Sequence, residues 1–267
     1  MSTETIPRKL FIGPRRVMYI GQSFDFSRHA HHAVQLCIGI NGPFELILGE
    51  GEAAVSIRGA LLPPDVPHQI KASNNPILMV YLDPESADYA FAITPDYMGD
   101  RAVLFYEHEH ENNKHIALEI DALVASDQPV SPSIFIALVF KYFGLKDDYV
   151  KPIDPRIKKV LHALNSSEGG QCDIETLEAI SCLSRSRLQH LFRQQIGIPI
   201  RRYSLWLRIR KVILLIQQGH NFTDSALLCG FADSAHFSRI FKEMFGVPPK
   251  TLLSNQAAIS ILVTEEL

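Results

Sequence analysis

The chain has 267 residues, of which 46% are hydrophobic and 21% charged, and its formal net charge is -3. These values are typical of a soluble globular protein with room for about two domains. They argue against a transmembrane protein, because the longest apolar run, Ile134 to Phe140, is too short to span a bilayer. The N-terminus lacks the apolar segment of a signal peptide and the four cysteines have no paired spacing, so we expect a cytoplasmic protein with reduced thiols and no membrane partner.

The charge is distributed unevenly along the chain. Residues 1–151 carry 12 Lys and Arg against 19 Asp and Glu, whereas residues 152–267 carry 14 against 10. The N-terminal part is therefore acidic and the C-terminal part basic. This asymmetry is typical of a part that binds nucleic acid joined to a part that binds something else.

Residues 16–82 are predicted to form strands. Short runs rich in aliphatic and β-branched residues are separated by Gly, Pro and Asn, and they read VMYI, VQLCIGI, FELIL, AAVSI and ILMVYL. Asn41-Gly42-Pro43 separates two of these runs and predicts a hairpin turn. Several strands at this spacing predict an antiparallel β-barrel or a double-sheet roll.

Two segments of this β region contain histidines: HAHHAVQ at residues 29–35 and LLPPDVPHQI at residues 61–70. Both resemble cupin sequences, and the resemblance implies an effector pocket in the interior of the barrel. We therefore take His31, Gln35 and His68 as candidate effector-binding residues.

The same resemblance raises a metal site as an alternative, because the imidazoles of His29, His31 and His68 could hold Zn²⁺, Fe²⁺ or Ni²⁺. In metal-binding cupins a glutamate follows the two histidines, and Gln35 stands in its place here. An amide is a poor substitute for an anionic carboxylate. We therefore predict no metal and no cofactor, with histidines that line a pocket or bond neighbouring strands.

From about Asn113 the hydrophobic period becomes that of helices. Ser131-Pro132 predicts an N-cap followed by proline in the first turn, and the helix after it, IFIALVFKYF, is apolar on nearly every side. Such a helix must be buried, either within its own domain or against a second subunit. A homodimer is therefore one possible state.

A linker is predicted at residues 144–153, GLKDDYVKPI, because this stretch is mostly polar and contains a proline. We therefore expect two domains, at residues 1–150 and 151–267. The second domain is predicted to begin with a helix that Asp154 caps, with Pro155 at its first position.

The C-terminal part contains a repeat with an offset of 49 residues. The first copy, SRSRLQHLFRQQIGIPI, spans residues 184–200, and the second, DSAHFSRIFKEMFGVPP, spans residues 233–249. The two copies share a phenylalanine, a glycine and a proline at matching places, which are Phe192 and Phe241, Gly197 and Gly246, and Pro199 and Pro248. A repeat of this kind indicates one structural unit used twice.

Each copy predicts the second helix of a helix-turn-helix unit. Ser184 and Asp233 stand at the N-cap positions of these helices. Shorter helices are predicted just before them, at residues 174–181 and 223–229, and Gly230 supplies a tight turn in the second copy. Two similar helix-turn-helix units side by side suggest a binding partner with a repeating structure, and duplex DNA is the obvious one.

A long helix is predicted between the copies, from Arg201 to Gln218, because apolar residues recur there at helical spacing. An 18-residue helix is roughly 27 Å long, close to the roughly 34 Å between successive major-groove faces. The two recognition helices could therefore enter adjacent major grooves of one duplex, and the shortfall favours some DNA bending.

Residues 155–255 resemble the AraC/XylS family of transcriptional regulators, most specifically in GFADSAHFSRIFKEMFGVPP. The resemblance implies a domain of seven helices with two helix-turn-helix units. It implies base contacts from Ser186, Gln189 and His190 in the first unit and from Ser234, His236 and Arg239 in the second. Contacts to the DNA backbone are expected from Arg185, Arg187, Arg193 and Lys242.

The first helix-turn-helix unit departs from the family pattern at three places. Glu178 stands where a small residue is usual, Cys182 replaces the turn glycine, and Val212 replaces the usual alanine of the linking helix. These changes put the geometry of the first unit in doubt more than its existence.

The fold class expected for the whole chain is α+β with two domains: an N-terminal cupin-like antiparallel β-barrel with trailing helices, and a C-terminal all-α domain whose two helix-turn-helix units are joined by a long helix. The function expected is a sequence-specific transcription activator that responds to a small-molecule effector, with promoter DNA and RNA polymerase as partners. The protein is not expected to be an enzyme. The alternatives are a metal-dependent cupin enzyme fused to a DNA-binding module, and a regulator without a ligand.

Overall fold

The computed structural model describes residues 8–13, 15–22, 25–71, 75–84, 86–94, 97–106, 111–126, 128–145, 152–167, 171–253 and 259–263. The chain divides into two compact units. The first unit combines Met1–Tyr149 with Lys242–Leu267, and the second unit is Val150–Phe241. The α+β fold class is confirmed: antiparallel sheets come first along the chain and helices follow.

The strands of the described residues all belong to the first unit. They are β1 Arg8–Ile12, β2 Arg16–Gln22, β3 Val34–Gly39, β4 Phe44–Ile47, β5 Val55–Ile57, β6 Gly59–Leu62, β7 Gln69–Lys71, β8 Pro76–Leu82, β9 Val103–Phe105 and β10 Ile259–Val263. A seven-stranded sheet has the order β10-β1-β2-β8-β3-β6-β9, and a three-stranded sheet has the order β5-β4-β7. Closure of these sheets into a barrel stays a prediction.

The hairpin predicted at Asn41-Gly42-Pro43 is wrong. The strand before the turn, β3, pairs with β6 and β8, whereas the strand after it, β4, pairs with β5 and β7. Polar groups of the turn bond to distant residues instead: the Asn41 N–H donates to Asp121 at 2.9 Å, and the Pro43 carbonyl accepts from Asn75 at 3.0 Å. The turn therefore carries the chain from one sheet to the other.

The C-terminal segment forms a strand at the edge of the large sheet. β10 runs parallel to β1, with Arg8 opposite Ile259 and Ile12 opposite Val263. Its apolar composition is typical of a strand, but its partner lies at the opposite end of the chain. Sequence spacing therefore gave no indication of this pairing.

In the N-terminal part of the first unit the described residues form three helices: α1 Ala87–Ala92, α2 Glu111–Val124 and α3 Pro132–Phe143. The N-cap predicted for α3 is confirmed, because the Ser131 side chain accepts a hydrogen bond from the Ser133 N–H. The apolar α3 is buried against the sheet within its own unit, through residues such as Val139, Phe140 and Phe143. Each large apolar side chain buried in this way contributes about 1.5–3 kcal/mol to stability.

The C-terminal helices are α4 Pro155–Ser166, α5 Ile174–Ser181, α6 Arg185–Ile196, α7 Ile200–Gln217, α8 Phe222–Leu228, α9 Ser234–Phe245 and α10 Pro249–Leu253. The cap predicted for α4 is confirmed: Asp154 accepts from the Arg156 N–H at 2.8 Å, and Pro155 begins the helix. The predicted linker at residues 144–153 falls mostly outside the described residues.

None of the helices in the described part of the chain is both long and apolar enough to cross a membrane.

Candidate nucleic-acid interface and histidine cluster

The first helix-turn-helix unit consists of α5 and α6. Asp173 caps α5, with its carboxylate accepting from the Thr176 N–H at 2.7 Å. α5 ends at Cys182, which adopts the left-handed conformation with φ 54, the region that glycine tolerates best. Cys182 thus occupies the turn position where the sequence resemblance led us to expect glycine, and the turn forms without a glycine there. Ser184 stands at the N-cap of α6 as predicted, but its side chain accepts no capping hydrogen bond.

The second helix-turn-helix unit consists of α8 and α9. Asn221 caps α8 by accepting from the Asp224 N–H at 2.9 Å. The turn is made by Gly230 at φ +77, where a Cβ would collide with the side chain of Gln171. Asp233 then accepts from the His236 N–H at 2.6 Å, which confirms the predicted cap of α9.

The repeat seen in the sequence is a repeat in the structure. Leu188 and Phe192 of α6 are buried, as are their equivalents Phe237 and Phe241 of α9. Both helices end at a glycine with positive φ, Gly197 at 88 and Gly246 at 71. The long linking helix is also confirmed, as α7 spans 18 residues. Burial of the matched apolar residues fixes which faces of α6 and α9 remain on the surface.

The predicted DNA contacts lie on those surface faces. The exposed residues are Ser186, Gln189, His190 and Arg239 for base contacts, and Arg185, Arg187, Arg193 and Lys242 for backbone contacts. The other two predicted base contacts, Ser234 and His236, are half-buried. The positions allow the predicted contacts, and the contacts themselves stay predictions.

Two of these side chains, those of His236 and Arg185, are held by a hydrogen bond or by ion pairs. The Nδ1 of His236 accepts a hydrogen bond from the Ala232 N–H at 3.3 Å, so a neutral ring carries its proton on Nε2 and can donate to a base edge or a phosphate. Arg185 is paired with Glu175 at 2.5 Å and with Glu178 at 3.5 Å. Glu178, which departs from the family pattern, thus orients a predicted backbone contact.

A groove of about 420 Å³ lies in the second unit between the two helix-turn-helix units. Gln189 of α6 and His236 of α9, both predicted to contact bases, are among its lining residues. α7 contributes Arg201, Ser204 and Arg208. Arg201, Ser204 and Arg208 were not among the residues predicted from the sequence to contact DNA, although residues 201, 204, 205 and 208 have the spacing of one helix face.

In the first compact unit of the chain, which contains the sheets, three histidines form a buried cluster. His29 and His68 are joined by an antiparallel backbone bridge, with N–O distances of 3.0 and 2.9 Å. The ring of His68 lies 4.3 Å from that of His29 and 5.0 Å from that of His31, measured between centroids. The structure therefore brings together the residues of two segments that are far apart in the sequence.

The hydrogen bonds of the cluster determine its tautomers. Each Nδ1 lies 2.8–2.9 Å from a backbone carbonyl, of Ser27 for His29, of Ala33 for His31 and of Val66 for His68. These nitrogens must donate, so a neutral ring presents a lone pair on Nε2. The Gln35 Oε1 lies 2.6 Å from His31 Nε2 and 3.0 Å from His68 Nε2. A half-turn of the amide places its two N–H donors toward the Nε2 atoms of His31 and His68 and leaves the oxygen to accept from the Cys37 thiol.

The cluster has the donors for a transition metal, since one nitrogen from each histidine lies within 4.8 Å of the others. The position of Gln35 argues against co-ligation. Two atoms bound to one tetrahedral Zn²⁺ at about 2.0–2.1 Å are separated by about 3.3 Å. The 2.6 Å between the Gln35 amide and His31 Nε2 is shorter and fits a direct hydrogen bond, which the amide N–H donates after the half-turn.

Burial keeps the three rings uncharged. Burial, with a smaller effect of His31, lowers the pKa of His29 to about 4. Burial also lowers the pKa of His31 and lowers the pKa of His68 well below its usual range. The Nε2 of His29 is buried without a hydrogen-bond partner, so it is an acceptor that a donor group of a ligand would satisfy.

The end of α9 lies against this cluster within the first unit. The Ser27 N–H and hydroxyl both donate to the Gly246 carbonyl, at 2.9 and 2.8 Å. A Cβ on Gly246 would approach His29 Nδ1 to 2.5 Å, and the ring of Phe245 packs edge-on against Tyr81. The cluster is closed by these contacts, because His29, His31 and His68 are all at most 6% exposed.

Comparisons with known proteins agree with this geometry. A family model described as a helix-turn-helix domain matches residues 177–255. The chain is 31% identical over 97 residues to the HTH-type transcriptional regulator GbdR of Pseudomonas aeruginosa, which covers 36% of this chain and 26% of GbdR. It is 27% identical over 178 residues to the HTH-type transcriptional regulator YidL of Escherichia coli, which covers 62% of this chain and 59% of YidL. The chain thus spans only part of these curated relatives.

Solved structures of ToxT from Vibrio cholerae have the same fold. One structure, of an apo ToxT variant, superposes with a TM-score of 0.58 at 14% identity and covers 90% of this chain and 97% of that chain. A second, of wild-type ToxT bound to an unsaturated fatty acid, has a TM-score of 0.54 at 15% identity, with 90% and 95% coverage. The likeness extends over both the strands and the helices of the chain.

Proposed function

We propose that this chain, whose residues 177–255 form an AraC-type helix-turn-helix domain, is a transcription regulator that binds promoter DNA and responds to a small-molecule effector. We assign effector binding to residues 1–150 and DNA binding to residues 151–267. Activation through RNA polymerase is the proposed mode of action.

One observation carries the DNA-binding part of the proposal: two helix-turn-helix units of matched construction are joined by a single 18-residue helix. Their polar faces carry Gln189, Arg239 and His236, which have the chemistry to read base edges. Flanking arginines and Lys242 can bind phosphates. Two adjacent major-groove segments on one side of a duplex match this arrangement.

The effector part of the proposal is supported by the histidine cluster. His31, Gln35 and His68 form a buried polar network, and His29 Nε2 is an acceptor without a partner. A hydroxyl or N–H of a small polar molecule could donate to that nitrogen. ToxT, solved with an unsaturated fatty acid, offers a precedent for a small-molecule occupant of this fold.

Because the cluster is closed, an effector enters only if a neighbouring segment moves. The Ser27 hydrogen bonds to Gly246 and the packing of Phe245 on Tyr81 are the contacts that would yield. Loss of these contacts would release the C-terminal end of α9. The effector would then change DNA affinity by favouring one of two arrangements.

The DNA-binding proposal is tested by selecting bound fragments of genomic DNA with the full-length protein, followed by footprinting and a salt titration. We expect two protected major-groove segments per monomer, about one helical turn apart, with selectivity that survives moderate salt. Arg239→Ala should relax specificity at one position. Uniform, non-selective binding that vanishes with salt would refute the proposal.

A further inference from the structure

We propose that the groove between the two helix-turn-helix units is a phosphate seat, in which Arg201 and Arg208 hold the DNA backbone phosphate that lies between the two major-groove segments. This inference rests on the proposed DNA-binding function and adds a contact made by α7, outside both recognition helices.

One face of α7 lines the groove. Arg201, Ser204 and Arg208 lie on that face, one helical turn apart. Gln189 of α6 and His236 of α9 also line the groove. A duplex that meets both recognition helices must pass its backbone over this face of α7, because the two major-groove segments are separated by a minor groove.

The charge of the groove calls for an anion. Among the residues that the structure describes, its lining contains Arg185, Arg201 and Arg208 and no Asp or Glu. Glu175 and Glu178 pair with Arg185, so among the three arginines of the lining they offset the charge of that one. A phosphate oxygen would meet guanidinium N–H groups, which bind phosphates in a geometry that lysine cannot reproduce.

Arg208 is the strongest indication. Its Nε is buried without a hydrogen-bond partner, while its Nη1 donates to the carbonyl of Gly230 at 3.3 Å. Burial lowers the pKa of Arg208, and the positive charge of Arg201 adds to the effect. A half-buried cation is costly, and an anion bound at the accessible part of the guanidinium would offset the cost of burying its charge. The bond to Gly230 also ties this arginine to the turn of the second helix-turn-helix unit.

The experiment measures the affinity of the full-length protein for a selected duplex by fluorescence anisotropy. A set of duplexes replaces one phosphate at a time, between the two protected segments, with a neutral methylphosphonate. Arg208→Gln is compared with the wild type and with Lys211→Gln, an exposed charge on the same helix that is outside the groove lining.

We expect one methylphosphonate position to weaken wild-type binding roughly three- to tenfold. Arg208→Gln should weaken binding to the unmodified duplex by a similar factor, show no further loss at that position, and reduce the slope of log affinity against log salt by about one. Lys211→Gln should keep the full loss at that position. Equal sensitivity to the methylphosphonate in Arg208→Gln and the wild type would overturn the proposal.

Two further measurements distinguish this proposal from a site for a free anion and from a general loss of folding. If inorganic phosphate raises the melting temperature of the wild type but not of Arg208→Gln, and no methylphosphonate position distinguishes them, the seat takes a free anion and the DNA assignment is wrong. If Arg208→Gln fails to fold, Arg201→Gln tests the same seat from an exposed position. Selective wild-type binding with no effect of either arginine leaves the DNA-binding function standing and refutes only the seat.

Discussion

Cys182 shows how a single residue can be held in a conformation that its side chain disfavours. It adopts φ 54 at the end of α5, and it is exposed, so its side chain gains little from packing. A non-glycine residue in this region costs about 1–2 kcal/mol, part of which glycine recovers. The helix-turn-helix turn therefore forms here in spite of a local penalty, because the helices on either side hold it.

We expect Cys182→Gly to raise the free energy of unfolding by up to about 1 kcal/mol, because it removes the left-handed strain. Urea denaturation measures the change. Cys182→Ala is the matched control: it removes the thiol but keeps the strain, so its stability should stay within a few tenths of a kcal/mol of the wild type. Equal stabilisation by Ala and Gly would show that the thiol, not the backbone, is responsible.

The buried histidines should make stability depend on pH. The pKa of His29 is about 4 in the folded protein and about 6.5 when unfolded, so between these values the unfolded state binds more protons. The stability that the neutral His29 contributes is therefore fully present above pH 6.5 and is lost as the pH falls toward 4. His29 alone should account for about 2 kcal/mol between pH 7 and pH 5.

Denaturation curves of the wild type, His29→Gln and His162→Gln at pH 7 and pH 5 check this expectation. His29→Gln should lose about 2 kcal/mol less than the wild type over that interval. His162→Gln changes an exposed histidine of α4 and should behave like the wild type. The explanation fails if the loss in His29→Gln equals that of the wild type.

At the scale of elements, the two N-caps of the first helix-turn-helix unit differ in the hydrogen bonds that they make, although both residues are common N-cap types. Asp173 accepts hydrogen bonds from both the N–H and the hydroxyl of Thr176, at 2.7 and 2.8 Å, whereas the Ser184 side chain caps nothing. Both residues are favoured N-cap types, so the sequence predicts the position of each helix start. Only the structure shows which cap contributes a bond.

Asp173→Ala should therefore destabilise the protein by about 1 kcal/mol, and Ser184→Ala by no more than a few tenths of a kcal/mol. Thermal or urea unfolding of the two variants provides the comparison. Since both substitutions replace an N-cap residue of neighbouring helices with alanine, each serves as the control for the other. Similar losses in the two variants would mean that cap position, not the observed bond, sets the energy.

At the scale of the whole molecule, the first unit is assembled from segments far apart in the chain. The strand β10 pairs with β1, and Gly246 lies against Ser27 and His29. The C-terminal residues after α9 are therefore part of the unit that holds the histidine cluster. This arrangement makes Gly246 a position where two kinds of constraint coincide, a positive φ and a close approach.

We expect Gly246→Ala to cost about 1–3 kcal/mol more than Gly144→Ala. Both glycines have positive φ, at 71 and 68, so both substitutions carry the backbone strain. A Cβ at Gly144 meets nothing within 4 Å, whereas one at Gly246 meets His29 at 2.5 Å. The difference in unfolding free energy between the two variants isolates the contact. Equal costs would show that the contact with His29 has no energetic consequence.

The sequence by itself determined the C-terminal helices, several of their caps, the internal repeat and the surface faces of α6 and α9. These features depend on local signals: cap residues, helical spacing and glycine turns act within a few residues of one another. The residues that contact bases could be predicted only from the family resemblance, because the sequence of the protein does not show which DNA sequence it binds.

Tertiary structure alone decided the sheet order, the failure of the predicted Asn41 hairpin, and the pairing of the C-terminal strand with β1. It also decided that Gln35 bonds His31 and His68, that Gly246 closes this cluster, and that Arg208 is half-buried in the lining of the groove. Each of these depends on contacts between residues distant in the chain. Such contacts form when whole elements pack to bury apolar surface, and no local pattern specifies which distant group will be the partner.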